Sequence, residues 1–86
     1  MAVVAEIIKQ FDVHVEGIPF TVKGKIAKYK DSYMWSISHH YKPTTGAGVY
    51  YPSSVTANTL ADAEMLFRAY AEDFVPDFEV KANKAF

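Results

Sequence analysis

The residues flanking Glu16-Gly17 can be paired by counting, and this constrains the fold more than any other feature of the chain. If Glu16-Gly17 is a two-residue turn, Val15 faces Ile18, Val13 faces Phe20, Phe11 faces Val22 and Ile7 faces Ile26. Side chains alternate across a strand, so a slip by one residue would scatter these apolar pairs to opposite faces. The segment therefore predicts an antiparallel hairpin with one greasy side.

The next segment extends the pattern. A second strand over 18–29 runs into Lys30-Asp31, a tight-turn pair, and then into Tyr33-Met-Trp-Ser-Ile-Ser-His-His-Tyr41; the alternative turn, Asp31-Ser32, shifts the pairs but keeps the same faces. With Lys30-Asp31 as the turn, Ile26 meets Trp35, Gly24 meets Ile37, Val22 meets His39 and Phe20 meets Tyr41. A bulky neighbour beside a strand glycine fills the space its missing side chain leaves. The turn chemistry of 43–48 precedes Val49-Tyr50-Tyr51, which reads as a short fourth strand stopped by Pro52. A polar loop spans 52–58.

From Leu60 the period becomes helical, with Leu60, Ala63, Leu66, Phe67, Tyr70, Ala71 and Phe74 on one stripe. Thr59, three residues before Asp62, is placed to cap the helix, and Pro76 to end it. Beyond it, Phe78-Glu-Val80-Lys alternates once more, as a short fifth strand at the sheet edge or a tail packed beneath it. The expected fold is α+β: a three- or four-stranded antiparallel meander with a C-terminal helix on its apolar face.

A chain of 86 residues, half of them apolar and 15% aromatic, fits one domain over 1–86 with a packed core. It has no cysteine, which excludes disulfides, thiolate metal sites and a cysteine nucleophile, and favours a reducing, cytoplasmic setting. The N-terminal apolar stretch lacks a basic leader and is interrupted by Glu6, so neither a signal peptide nor a membrane span is expected. The net charge of −1 hides an asymmetry. Residues 20–42 carry five lysines against Asp31, a balance of +4, whereas 60–79 carry six carboxylates against Arg68, a balance of −5. Such polarity gives two faces suited to different partners.

Catalytic and metal chemistry find little support. His14 and His40 fall on the open sheet face and His39 on the core face beside Val22, so His39 and His40 cannot chelate one ion together. Asp12, His14 and His40 share a face without the tight spacing zinc prefers. Ser36 and Ser38 share that face with His40 but lack an orienting acid or an oxyanion loop. Gly46-Ala-Gly48 neither opens a helix nor precedes a lysine, unlike a phosphate cradle. Neither an enzyme nor a cofactor is expected.

Binding is better supported. The open face should display Lys23, Lys25, Ser36, Ser38 and His40, and in outline resembles the three-strand-plus-helix DNA readers of plant ethylene-response factors and integrase arm-binding domains. That resemblance implies nucleic-acid contact through the sheet. Those readers carry several sheet arginines, whereas the single arginine here, Arg68, is on the helix, and the pI is near 6.3. The favoured expectation is therefore a non-enzymatic module that binds another protein, with nucleic acid as the alternative. Its candidates are Tyr29, Tyr33 and Tyr50 on the sheet, and Glu64, Met65, Arg68 and Glu72 on the helix. In size and make-up the chain is similar to small phage- or bacterium-encoded inhibitors and adaptors, anti-CRISPR proteins among them. A homodimer joined through the edge at 49–51 or the tail at 78–80 is compatible with either reading.

Overall fold

The structure is a computed structural model, and it describes residues 4–42, 48, 51–52, 54–75, 80–84 and 86. Four strands form an antiparallel sheet in the order β1-β2-β3-β5: β1 Glu6–Val13, β2 Val22–Tyr29, β3 Ser32–Ile37 and β5 Thr56–Ala57. A second, two-stranded ladder joins β4 His39–Tyr41 to β6 Val80–Ala82, and the helix α1 spans Leu60–Glu72. The α+β fold expected of the sequence is present: an antiparallel sheet of four strands with a C-terminal helix on one face.

The β2–β3 hairpin has the expected register, with Gly24 opposite Ile37 and Ile26 opposite Trp35. Its turn is Lys30-Asp31, where Lys30 adopts a left-handed φ of 50°. The first hairpin differs. The Glu16-Gly17 turn forms, with Gly17 at φ 98° and the Ile18 amide donating to the Val15 carbonyl at 3.4 Å. Pairing, however, resumes only at Val13 opposite Val22, so Phe11 meets Gly24 rather than Val22. Pro19 has no amide hydrogen for a ladder, and the segment before Val22 loops instead. The shift is of two residues, so Phe11 and Val13 keep their face. Phe20 does not: it is 44% exposed, its ring 4.6 Å from that of His39. A bulge between Ile7 and Lys9 moves Ile7 opposite Ala27, out of the core and 49% exposed.

The expected long third strand also breaks. The Ser38 hydroxyl accepts the Lys23 amide at 2.8 Å, and the Ser38 amide donates to the Lys23 carbonyl. A serine side chain competing for backbone partners ends the β3 ladder there. Beyond it the strand joins β6, and the expected pairs of Val22 with His39 and Phe20 with Tyr41 are absent. His40 is consequently buried, not on the open face, and His39 is half-buried beside Phe20.

The fourth strand is Thr56–Ala57 beside Tyr33 and Met34, in the segment expected to be loop. Of the stretch expected to supply it, Val49 and Tyr50 lie outside the described residues, and Tyr51 is 57% exposed and not in a strand. In the tail, Phe78 and Glu79 lie outside the described residues, as does Pro76, while Val80 opens β6.

The helix begins where its cap predicts. The Thr59 hydroxyl accepts the Asp62 amide at 3.1 Å, and the Phe74 amide closes the far end onto the Ala71 carbonyl. Ala63, Phe67, Tyr70 and Phe74 reach the core with Val22, Ile26, Trp35, Ile37 and Tyr41. Phe67 stands directly over Gly24, its ring 4.7 Å from that of Phe11 and 5.9 Å from that of Trp35. Tyr70 continues the aromatic row, 5.7 Å from Trp35 and 5.1 Å from Tyr41. The glycine thus fixes how closely the helix approaches the sheet.

Candidate protein-binding surface

The core stripe of α1 leaves the opposite side of the helix in water, and four of the sequence candidates fall there together. Met65 is 62% exposed, with Ala61 and Ala69 a turn before and after it. Beside this apolar centre the Glu64 carboxylate is held from two directions. Lys9 Nζ of β1 donates to Oε1 at 2.6 Å, and Arg68 Nε donates to Oε2 at 3.0 Å. Those bonds, Lys9 first and Arg68 second, hold the Glu64 carboxyl below its ordinary range. The Arg68 guanidinium also lies 5.6 Å from the centre of the Phe11 ring.

The result is a shallow groove of about 770 Å³ with Met65, Ala61, Ala69 and Leu60 as its apolar lining and Lys9, Glu64, Arg68 and Glu72 as its polar one. Arg68 and Glu72 also line a second hollow of about 440 Å³, floored by Phe11, Phe67, Ala71 and Phe74 along the end of β1. β1 is an edge strand of the four-stranded sheet, and its residues line both hollows, Lys9 the first and Phe11, Asp12 and Val13 the second. The arrangement sets an apolar centre among charged groups whose geometry is fixed by bonds within the chain.

The aromatic candidates are not part of this surface. Tyr29 and Tyr33 are half-buried at the far hairpin, where Tyr33 packs against the core and lies 5.7 Å below the Lys28 ammonium. The sequence reading places both in the exposed set, and the structure leaves each only partly accessible. Tyr50 lies outside the described residues.

The residues of the alternative, nucleic-acid reading are less united. Lys23, Lys25 and Ser36 share the open face, with Ser36 directly opposite Lys25. Lys23 Nζ donates to Asp12 at 2.6 Å, which lowers the Asp12 pKa, and Lys25 Nζ donates to the Phe86 main-chain oxygen at 2.7 Å beneath the Phe86 ring. Ser38 sits at the strand break, within 2.8 Å of His39 Nδ1. His40 has turned to the helix side, where its ring meets those of Tyr51 at 4.9 Å and Tyr70 at 6.0 Å. That turn also separates it from Asp12 and His14.

Lys9 was invisible as a site residue, because its partner Glu64 is 55 positions away. The Glu64–Arg68 pair, four apart on a helix, carries a local signal that sequence can show. No helix among the described residues is long and apolar enough to cross a membrane. Compared with protein-family models, curated proteins and solved structures, the chain has no match in any of the three.

Proposed function

We propose that this protein is a non-enzymatic module that binds another protein through the exposed face of α1 and the adjoining edge of β1, as an inhibitor or adaptor does. The observation that carries this reading is the exposed Met65 between two alanines, beside a carboxylate already locked by Lys9 and Arg68. Ion pairs held by two elements lose little side-chain freedom on docking, and small neighbours let a partner approach the methionine closely. A cysteine-free chain suits the cytoplasm, where such a partner would be met.

The test is affinity capture from the source cell, with and without nuclease, using the wild type and a Met65→Asp, Arg68→Glu double variant. The reading expects a nuclease-resistant partner, lost with the double variant and retained by Lys23→Glu, Lys25→Glu. Capture that vanishes with nuclease, or with the lysine variant alone, favours the nucleic-acid alternative. That alternative has both its lysines already engaged by internal partners, which makes it the weaker reading. Pairing of two copies through the edge at 49–51 or the tail at 78–80 is compatible with either reading, and the molar mass in solution decides it.

A further inference from the structure

The β4–β6 ladder carries the chain towards the open face of the sheet, the side away from α1. The Asn83 amide donates to the Ser38 carbonyl at 2.8 Å and its side-chain Nδ2 to the Ile37 carbonyl at 3.0 Å. The Phe86 amide then turns back onto the Asn83 carbonyl at 3.1 Å, and Phe86 meets Lys25. Lys25 is half-buried there, opposite Gln10 on β1 and Ser36 on β3. One ammonium reads this residue twice. Lys25 Nζ donates to the Phe86 main-chain oxygen at 2.7 Å and lies 4.4 Å from the centre of the Phe86 ring. The ring is half-buried, yet it is not part of the packed core of the described residues. Beside it a groove of about 430 Å³ stays open, lined by Ile7, Gln10, Asp12, Lys23 and Lys25, with Ile7 49% exposed.

We propose that the groove at Lys25 is a second binding site, for an aromatic residue in a peptide segment of another protein, and that Phe86 is its resident ligand. The chain itself displays the chemistry of the occupant: a ring whose face meets the ammonium, joined to a main-chain carbonyl that accepts from the same nitrogen. Any phenylalanine in a flexible segment offers both groups at that separation. An aliphatic residue offers only the carbonyl, because a cation is drawn to the quadrupole of an aromatic face. Vacating the site leaves the core intact, since Phe86 is no part of it. A tethered occupant competes at the high effective concentration of an intramolecular partner. An incoming segment therefore prevails by adding contacts along the groove, where Ile7 and Gln10 are placed to supply them.

The experiment titrates the acetylated, amidated tetrapeptide of residues 83–86 into the 15N-labelled full chain. NMR follows the Lys25 and Gln10 amides, with the Trp35 indole NH reporting an intact core. Phe86→Ala, which vacates the site in cis, should bind the peptide at least about tenfold more tightly than the wild type. Adding Lys25→Met to Phe86→Ala should weaken binding about tenfold. A peptide with cyclohexylalanine in place of its phenylalanine should also bind Phe86→Ala more weakly than the original. If the double variant does not fold, the two peptides decide. No binding to Phe86→Ala, equal binding to it and to the wild type, or binding indifferent to Lys25 or to the aromatic ring overturns the proposal. So does a wild-type dimer that Phe86→Ala dissolves, because the occupant is then a second copy of the chain.

Discussion

Replacing Gly24 by alanine tests the closest contact between helix and sheet. A Cβ built at Gly24 lies 2.3 Å from both Cε1 and Cζ of Phe67. Ordinary carbon–carbon contact begins near 3.5 Å, so the ring must retreat by roughly 1 Å. It has nowhere easy to go: Phe67 is 2% exposed and wedged between the rings of Phe11 and Trp35. Overpacking of this kind costs about 1–3 kcal/mol, and disturbing the Phe11–Phe67 stack adds about 0.5–1.5 kcal/mol. Alanine returns about 0.5–1 kcal/mol by restricting the unfolded chain. The net expectation for Gly24→Ala is a loss of about 2 kcal/mol. Urea unfolding followed by Trp35 fluorescence measures it. A cycle with Phe67→Leu isolates the cause, because the shorter side chain should make the alanine cheaper by at least about 1 kcal/mol. A loss under about 0.5 kcal/mol, or strictly additive variants, would refute the contact argument.

Other expectations follow from the same structure. Val22→Ala, at a fully buried position, should cost about 2 kcal/mol, clearly more than Phe20→Ala at its exposed site; equal losses would restore the hairpin register read from the sequence. Thr59→Ala should cost about 1 kcal/mol through the lost cap, whereas Thr59→Ser should be near neutral in the same urea assay. Glu64 has a folded-state pKa below its unfolded one, so its stabilising contribution is present above the ordinary glutamate range and fades as pH falls through the lowered value. Glu64→Gln should therefore flatten the acid limb of the stability–pH curve, and high salt should do the same in the wild type. His40 has the same sign from a different cause. Its neutral form is favoured by burial, so stability from this group is full above ~6.5 and declines as pH falls, a slope that His40→Phe should remove.

Much of the architecture was legible because it depends on local periods. The helical stripe from Leu60 to Phe74, the Thr59 cap and the Lys30-Asp31 turn each declare themselves within a few residues. The β2–β3 register follows from that turn length, and Met65 opposite the stripe is a consequence of the helical period alone. The first hairpin shows the limit of counting. Its turn formed as read, yet Pro19 could not enter a ladder and Ile8 bulged, which displaced Phe20 and Ile7 from the core while leaving Phe11 and Val13 on theirs.

Sequence alone therefore determined the helix, the two tight turns and the helix face that stays in water, since these depend on neighbours a few positions away. Tertiary structure alone decided what those surfaces hold. Ser38 ends a strand only because Lys23 is beside it, and the resulting break turns His40 inward against Tyr70. Lys9 becomes part of the helix surface, and Phe86 the cover of Lys25, through contacts that span 55 and 61 positions. Partnerships at that separation depend on how a whole sheet twists and packs, and no local pattern of residues encodes them.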